Sequence, residues 1–204
     1  MMRTLFDKYK CDKGHRHGYE AVYEADFEKV KDEPINIFEI GILRGESIKV
    51  WLDYFPNGTV YAVDNFSRIP PEKVEILNHE RVKWVSGDST SNSLRDTIDK
   101  EWSGVKFDFI IDDGLHTPRA NMLSFMNLSK YLKKGGIYYI EDVFPMDIMT
   151  TKELSIPFLT SKPDAFNMLE YNKFLNAINS YKPERIDLRK NSGNPDSHII
   201  KVTK

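Results

Sequence analysis

The 204-residue chain is predicted to be an α/β protein: a doubly wound, mostly parallel sheet with an antiparallel strand pair at its C-terminal edge. Three observations predict this. Five short β-type runs alternate with segments of helical periodicity, the pattern of parallel βαβ units with right-handed crossovers. The last two β-type runs are joined by a polar turn around Asn194-Pro195, so they pair antiparallel. No repeat or low-complexity linker divides the chain, and residues 1–204 are read as one domain, since domains commonly span ~100–200 residues.

Each element has a local reason. Tyr19, Tyr23, Phe27 and Val30 share one face of an N-terminal helix, and residues 1–32 are read as a helical flap segment. Residues 35–40 form the first strand. Ile48, Trp51, Leu52 and Phe55 then recur at three- and four-residue steps, and Pro56-Asn57-Gly58 stops that helix. Residues 59–64, 82–86 and 107–112 are the next three strands. Thr117 is an N-cap with Pro118 at the first helical position. The stripe Met122, Phe125, Leu128, Leu132 follows, in a helix that Lys133-Lys134-Gly135-Gly136 is expected to end. Residues 137–140 are the fifth strand, residues 165–178 a helix through Phe166, Leu169, Phe174 and Ile178, and residues 185–188 and 198–202 the closing pair.

Composition removes several function classes. Lys and Arg total 29 against 31 Asp and Glu, a formal charge of −2. A non-specific nucleic-acid binder or a polybasic membrane binder would carry a basic excess. Cys11 is the single cysteine, which precludes an intrachain disulfide and fits a reducing compartment. The first residues contain no apolar signal-peptide core, and no apolar run approaches the ~20 residues of a membrane span, so a cytoplasmic protein is expected.

In such sheets ligands bind outside the C-terminal ends of the strands. The first strand ends in Glu39-Ile40-Gly41-Ile42-Leu43-Arg44-Gly45. Glycines there let backbone pass close to a ligand, and the following helix N-terminus favours anionic groups. They also suit a plain tight turn. Their spacing is not the Gly-x-Gly-x-x-Gly of dinucleotide binders, which disfavours NAD. Asp64, ending the second strand, has a carboxylate suited to two ribose hydroxyls; an Asp there is also a common turn former. Gly87-Asp88-Ser89, after the third strand, lies where an adenine edge would sit.

A sharper group follows strands four and five. Asp112-Asp113-Gly114-Leu115-His116 ends the fourth, and Glu141-Asp142 the fifth. If these strands are neighbours, about 4.8 Å apart, Asp113, Glu141 and Asp142 converge. Three carboxylates repel one another unless a hard cation such as Mg²⁺ is bound among them. Separately, each piece also reads as a solvated acidic turn, and His116 as a surface or capping histidine.

Together these motifs resemble class I S-adenosylmethionine-dependent methyltransferases with a Rossmann-like, seven-stranded sheet. More narrowly, they are similar to the metal-dependent O-methyltransferases of the macrocin and mycinamicin type, which act on sugar hydroxyls. Residues 38–45, 111–116 and 135–142 carry the resemblance, with Asp12-Lys13-Gly14-His15-Arg16-His17-Gly18-Tyr19 upstream. It implies Asp113, Glu141 and Asp142 as ligands of Mg²⁺ (or Mn²⁺) and His116 as general base. It also implies Glu39, Gly41, Gly45, Asp64, Asp88, Ser89, Asp112 and Tyr19 around the methyl donor. Leu115 departs from the family, where that place is commonly small and polar, and the chain lacks the large N-terminal domain of some macrolide members.

The expected reaction is methyl transfer from S-adenosylmethionine to a hydroxyl of a small molecule, a sugar or glycosylated natural product. His116 removes the proton and the alkoxide attacks the methyl carbon in line. A catechol-type acceptor is the alternative within this class; outside it stands a nucleotide-binding α/β protein of another kind. Nucleic acid and membrane are not expected partners, and a homo-oligomer is left open. Residues 144–164, rich in Pro, Met and Phe, are long for a connector and are expected to shape the acceptor pocket. His15 and His17 have three readings: a flap over the donor, a plain surface segment, or a metal-binding pair.

Overall fold

The computed structural model describes residues 1–204. One seven-stranded sheet runs through it: β1 (Asn36–Ile40), β2 (Thr59–Asp64), β3 (Val82–Ser86), β4 (Phe107–Asp112), β5 (Leu132–Ile140), β6 (Glu184–Asp187) and β7 (His198–Thr203). Their spatial order is β3-β2-β1-β4-β5-β7-β6, with β7 antiparallel to both neighbours and every other pairing parallel. The fold class read from the sequence is therefore the one observed.

Strand side chains alternate between two apolar layers, as period two requires. Phe38, Ile40, Ile110, Tyr138 and Ile140 face one layer, closed by α5 (Ser93–Glu101), α6 (Pro118–Leu128) and α9 (Met168–Asn179). Ile37, Phe109, Ile111, Ile137 and Tyr139 face the other, closed by α1 (Met2–Tyr9), α3 (Glu20–Phe27) and α4 (Glu46–Tyr54). Met2, Phe6, Tyr19, Tyr23 and Phe27 have no solvent exposure, so residues 1–32 supply part of a core layer. The one-turn helix α2 (Asp12–His15) links α1 to α3; α7 (Thr151–Leu154), α8 (Pro157–Thr160) and α10 (Arg189–Ser192) are equally short. No helix is long and apolar enough to cross a membrane.

Several boundaries differ from the expected ones. The α6 helix ends at Leu128, and Lys133-Lys134-Gly135-Gly136 lies inside β5, whose register with β4 shifts between Phe107 and Phe109. A lysine pair and glycines look like a helix stop, but the glycines serve the strand: a Cβ at Gly136 would stand 2.9 Å from the Asp108 carbonyl oxygen. Helices α2 and α5 carry too few apolar residues for their periodicity to announce them, whereas α1 has Met2, Leu5, Phe6 and Tyr9 at helical spacing. Thr117 does cap α6, its hydroxyl accepting from Ala120 N at 3.3 Å.

At the sheet edge, burial first, and then the nearby Arg185 guanidinium, push the imidazole of His198 down to about 4. Its ordinary value in an unfolded chain is ~6.5. Between these values the unfolded chain binds the proton and the native protein does not, so stability falls as pH drops from about 6.5 to 4, by up to ~3 kcal/mol. Chemical denaturation at pH 7 and pH 4.5 is expected to show this slope, and His198→Gln to flatten it.

Candidate active site

Strand register builds the site. Ile40 pairs with Asp112 and Asp112 with Ile140, so the residues that follow, Gly41, Asp113 and Glu141, emerge side by side at the C-terminal edge. Backbone pairing continues one residue further: Gly41 N donates to Val63 O (2.9 Å), Asp113 N to Ile40 O (3.0 Å) and Glu141 N to Asp112 O (3.0 Å). A cavity of about 640 Å³ opens there. Its wall includes Gly41, Asp64, Asp88 and Ser89 on the β1–β3 side, Asp113, His116 and Asp142 on the β4–β5 side, and Phe144, Ile156 and Phe158 from the segment after β5.

The turns are under local strain. Leu43 (φ 50°), His116 (φ 58°) and Asp142 (φ 53°) hold left-handed backbone without being glycine. That conformation disfavours side-chain-bearing residues and persists where surroundings over-determine it, commonly at functional sites. Gly41 (φ 92°) is required, because a Cβ would stand 3.0 Å from the Asp113 carbonyl carbon and closer still to its oxygen. Asp64 organises the same turn: its carboxylate accepts from Ile42 N (2.8 Å), Leu43 N (3.2 Å) and Phe66 N (2.7 Å).

Asp113, His116 and Asp142 come together, one ligand atom from each lying within 4.8 Å of the others. Glu141 does not join that group. It is 1 % exposed and turned inward; Tyr23 Oη donates to one of its oxygens and Lys13 Nζ to the other. Lys13 Nζ also donates to Asp113 and stands 3.5 Å from Glu39 Oε1. Burial opposes an ammonium at Lys13, but Asp113, Glu141 and Glu39 outweigh it and hold the lysine well above its ordinary value. Burial raises Glu141 despite Lys13, and raises Asp142 despite His116. At Asp113 burial is overcome by Lys13 and His116, which leave it below the usual carboxylate range.

The fold and its neighbours agree. No family model matches the chain. Against solved structures it covers 100 % of its length on MycE methyltransferase of the mycinamycin pathway, a complex with Mg and SAH, at TM-score 0.69 and 21 % identity over 54 % of that chain. An O-methyltransferase from Bacillus cereus in complex with SAH matches at TM-score 0.60 and 16 % identity, with 90 % of that chain covered. The chain has the class I methyltransferase fold. Among curated proteins it is 33 % identical to the L-olivosyl-oleandolide 3-O-methyltransferase of Streptomyces antibioticus over 146 residues. It is 28 % identical over 148 residues to a tetracenomycin-C rhamnosyl 3'-O-methyltransferase of Streptomyces olivaceus. These matches cover 67 % and 69 % of this chain but only 36 % of each relative, so the chain spans about a third of the curated methyltransferases it matches.

Within this methyltransferase fold, five residues expected at the ligands lie off the cavity wall. Glu39 points to the opposite face of β1; it is fully buried, accepts from Trp51 Nε1 at 2.9 Å, and burial pushes it up to about 7. Asp112 is also buried, raised to about 7 by that burial, with Tyr138 Oη donating at 3.4 Å. Gly45 caps α4 (φ 77°), with Ile76 packed where a Cβ would go. Tyr19 is buried and donates to Asp142 Oδ1 at 2.7 Å, and Glu141 is held as described. Glu39, Asp112, Gly45 and Glu141 each sit beside a cavity residue in sequence yet are off the wall, and Tyr19 is packed beneath it by the N-terminal segment.

His17 is buried as well, its Nδ1 2.9 Å from Ser197 Oγ and 3.4 Å from Asp142 Oδ1, whereas His15 is exposed. Sequence reading missed Lys13 as a charge partner and the Ser197–His17 contact. A lysine in a one-turn helix carries no local signal of burial.

Proposed function

We propose that this chain is the catalytic domain of an S-adenosylmethionine-dependent, divalent-metal-assisted O-methyltransferase acting on a hydroxyl of a small molecule, a sugar or glycosylated natural product. One observation carries the reading: Asp113, His116 and Asp142 face the same cavity as Gly41, Asp64 and Asp88. The relatives that methylate sugars of natural products, and the Mg and SAH in the MycE complex, support it.

In this reading the donor lies along the β1–β3 side. Gly41 would allow its close approach, Asp64 would accept from the ribose hydroxyls, and Asp88 and Ser89 would hold the adenine. The acidic wall suits the sulfonium cation electrostatically. Asp113 and Asp142, with acceptor oxygens completing the set, would suit a hard divalent cation, and Glu141 would join by leaving Lys13. Such a cation supplies charge that lowers the pKa of a nearby hydroxyl. His116 then takes that proton, and the cavity walls align oxygen, methyl carbon and sulfur. Leu115 (68 % exposed) and Phe158 (48 % exposed) leave apolar surface at the acceptor end, which suits a hydroxyl carried beside an apolar or aromatic face, a catechol included.

S-adenosylhomocysteine is expected to raise the melting temperature by ligand linkage, by about 2.7 kcal/mol of stability at a hundredfold excess over Kd. Asp64→Ala should abolish most of that shift, because it removes both the ribose acceptor and the anchor of Ile42 and Leu43. A shift with NADH and none with S-adenosylhomocysteine would overturn the donor assignment.

A further inference from the structure

We propose that Lys13 is the built-in counter-cation of this site: a positioning residue whose ammonium holds Glu39, Asp113 and Glu141 together so that the acidic cluster is assembled before any metal arrives. Lys13 is 2 % exposed, and its Nζ is shared among three carboxylates from β1 and from the turns after β4 and β5. The backbone aims it there. Gly14 lies so close to Phe6 of α1 that a Cβ would stand 3.0 Å from its ring, and Tyr19 N donates to the Lys13 carbonyl at 2.8 Å. These contacts fix the one-turn helix α2 between the core and the strand ends.

Three carboxylates packed this closely repel unless a cation stands among them, and a buried lysine is equally untenable alone. The two problems cancel. Glu141 is consumed by the arrangement, one oxygen on Lys13 and the other on Tyr23. The cavity face is left with Asp113 and Asp142 for an exchangeable ion, with His116 beside them, so the site holds a permanent inner charge and a removable outer one. The outer charge rests on the proposed function; the inner one does not.

The test is thermal unfolding of the full chain, in chelator and in excess Mn²⁺. The parent is expected to melt as well in chelator as in plain buffer. Lys13→Met, which keeps the length and removes the charge, should melt roughly 10 °C lower in chelator, as expected when a buried ion pair loses one partner. Mn²⁺ should recover more than half of that loss and raise the variant's melting temperature by more than it raises the parent's, because in the variant the ion also replaces the missing cation. Glu141→Gln in the Lys13→Met background should recover stability without metal.

A Lys13→Met protein as stable as the parent in chelator would overturn the proposal. So would a loss that neither Mn²⁺ nor the second substitution relieves. If Lys13→Met does not fold, the double variant decides: folding supports the charge role, and failure to fold where Glu141→Gln alone folds overturns it. Binding of S-adenosylhomocysteine to the parent is read separately, so a failed donor assignment stays distinguishable from a failed role for Lys13.

Discussion

His116→Ala is expected to lower turnover by ~10²–10⁴-fold, the usual worth of a positioned acid or base, while S-adenosylhomocysteine affinity stays near that of the parent. The proposed donor side of the cavity, at Gly41, Asp64 and Asp88, makes no use of the imidazole. His116 Nε2 lies 3.5 Å from Asp113 Oδ1, beyond a good hydrogen bond, and its Nδ1 is buried without a partner. The ring is thus held by its strained backbone and the cavity wall more than by hydrogen bonds, which leaves it able to accept a proton. Asp113→Asn should behave differently, weakening Mn²⁺ binding and turnover together. Calorimetric Mn²⁺ titration beside turnover separates the roles: a large drop in Mn²⁺ affinity in His116→Ala would make His116 a ligand, and near-normal turnover would make it only a loop residue.

Gly41→Ala is expected to be the most damaging single-methyl change in the protein, costing roughly 3 kcal/mol or more and abolishing the S-adenosylhomocysteine-induced melting shift. Two penalties coincide. The backbone there has φ 92°, which an alanine adopts only under strain, and the new Cβ would enter the carbonyl of Asp113. Relief requires the β1 and β4 turns to separate, and those turns carry the proposed donor side and the acidic side respectively. Gly18, also at positive φ (71°) but with open space around it, is the control: Gly18→Ala should cost only the backbone strain. Equal losses at both positions would show that the close approach of the two turns is not what Gly41 protects.

Much of the site was legible because strand ends are local features. Gly41, Asp64, Asp88, Ser89, Asp113, His116 and Asp142 all follow directly on apolar runs, and the sheet order delivers all seven to one cavity. Glu39 and Asp112, expected at the donor from the same motifs, lie off the cavity wall. They belong to the strands themselves, where period two sends neighbouring side chains to opposite faces, and a motif read as a block ignores that alternation. Gly45 was read as a ligand contact where it serves as a helix cap. The helices α2 and α5 were silent because short, charged segments are stabilised by docking rather than by their own periodicity.

By itself the sequence determined the βαβ alternation, the antiparallel closing pair, the glycine turn after β1 and the carboxylates after β4 and β5. All of these follow from side-chain periodicity and turn chemistry within a few residues. Only the tertiary structure decided which carboxylates share a cation. Lys13 meets Asp113 across 100 residues of chain and Glu141 across 128, and Glu141 is held off the cavity wall where Asp113, His116 and Asp142 come together. The physical reason is that an ion pair depends on distance and dielectric in space. Both are set by how α1 and α3 pack the N-terminal segment against the sheet, and no spacing along the chain encodes them.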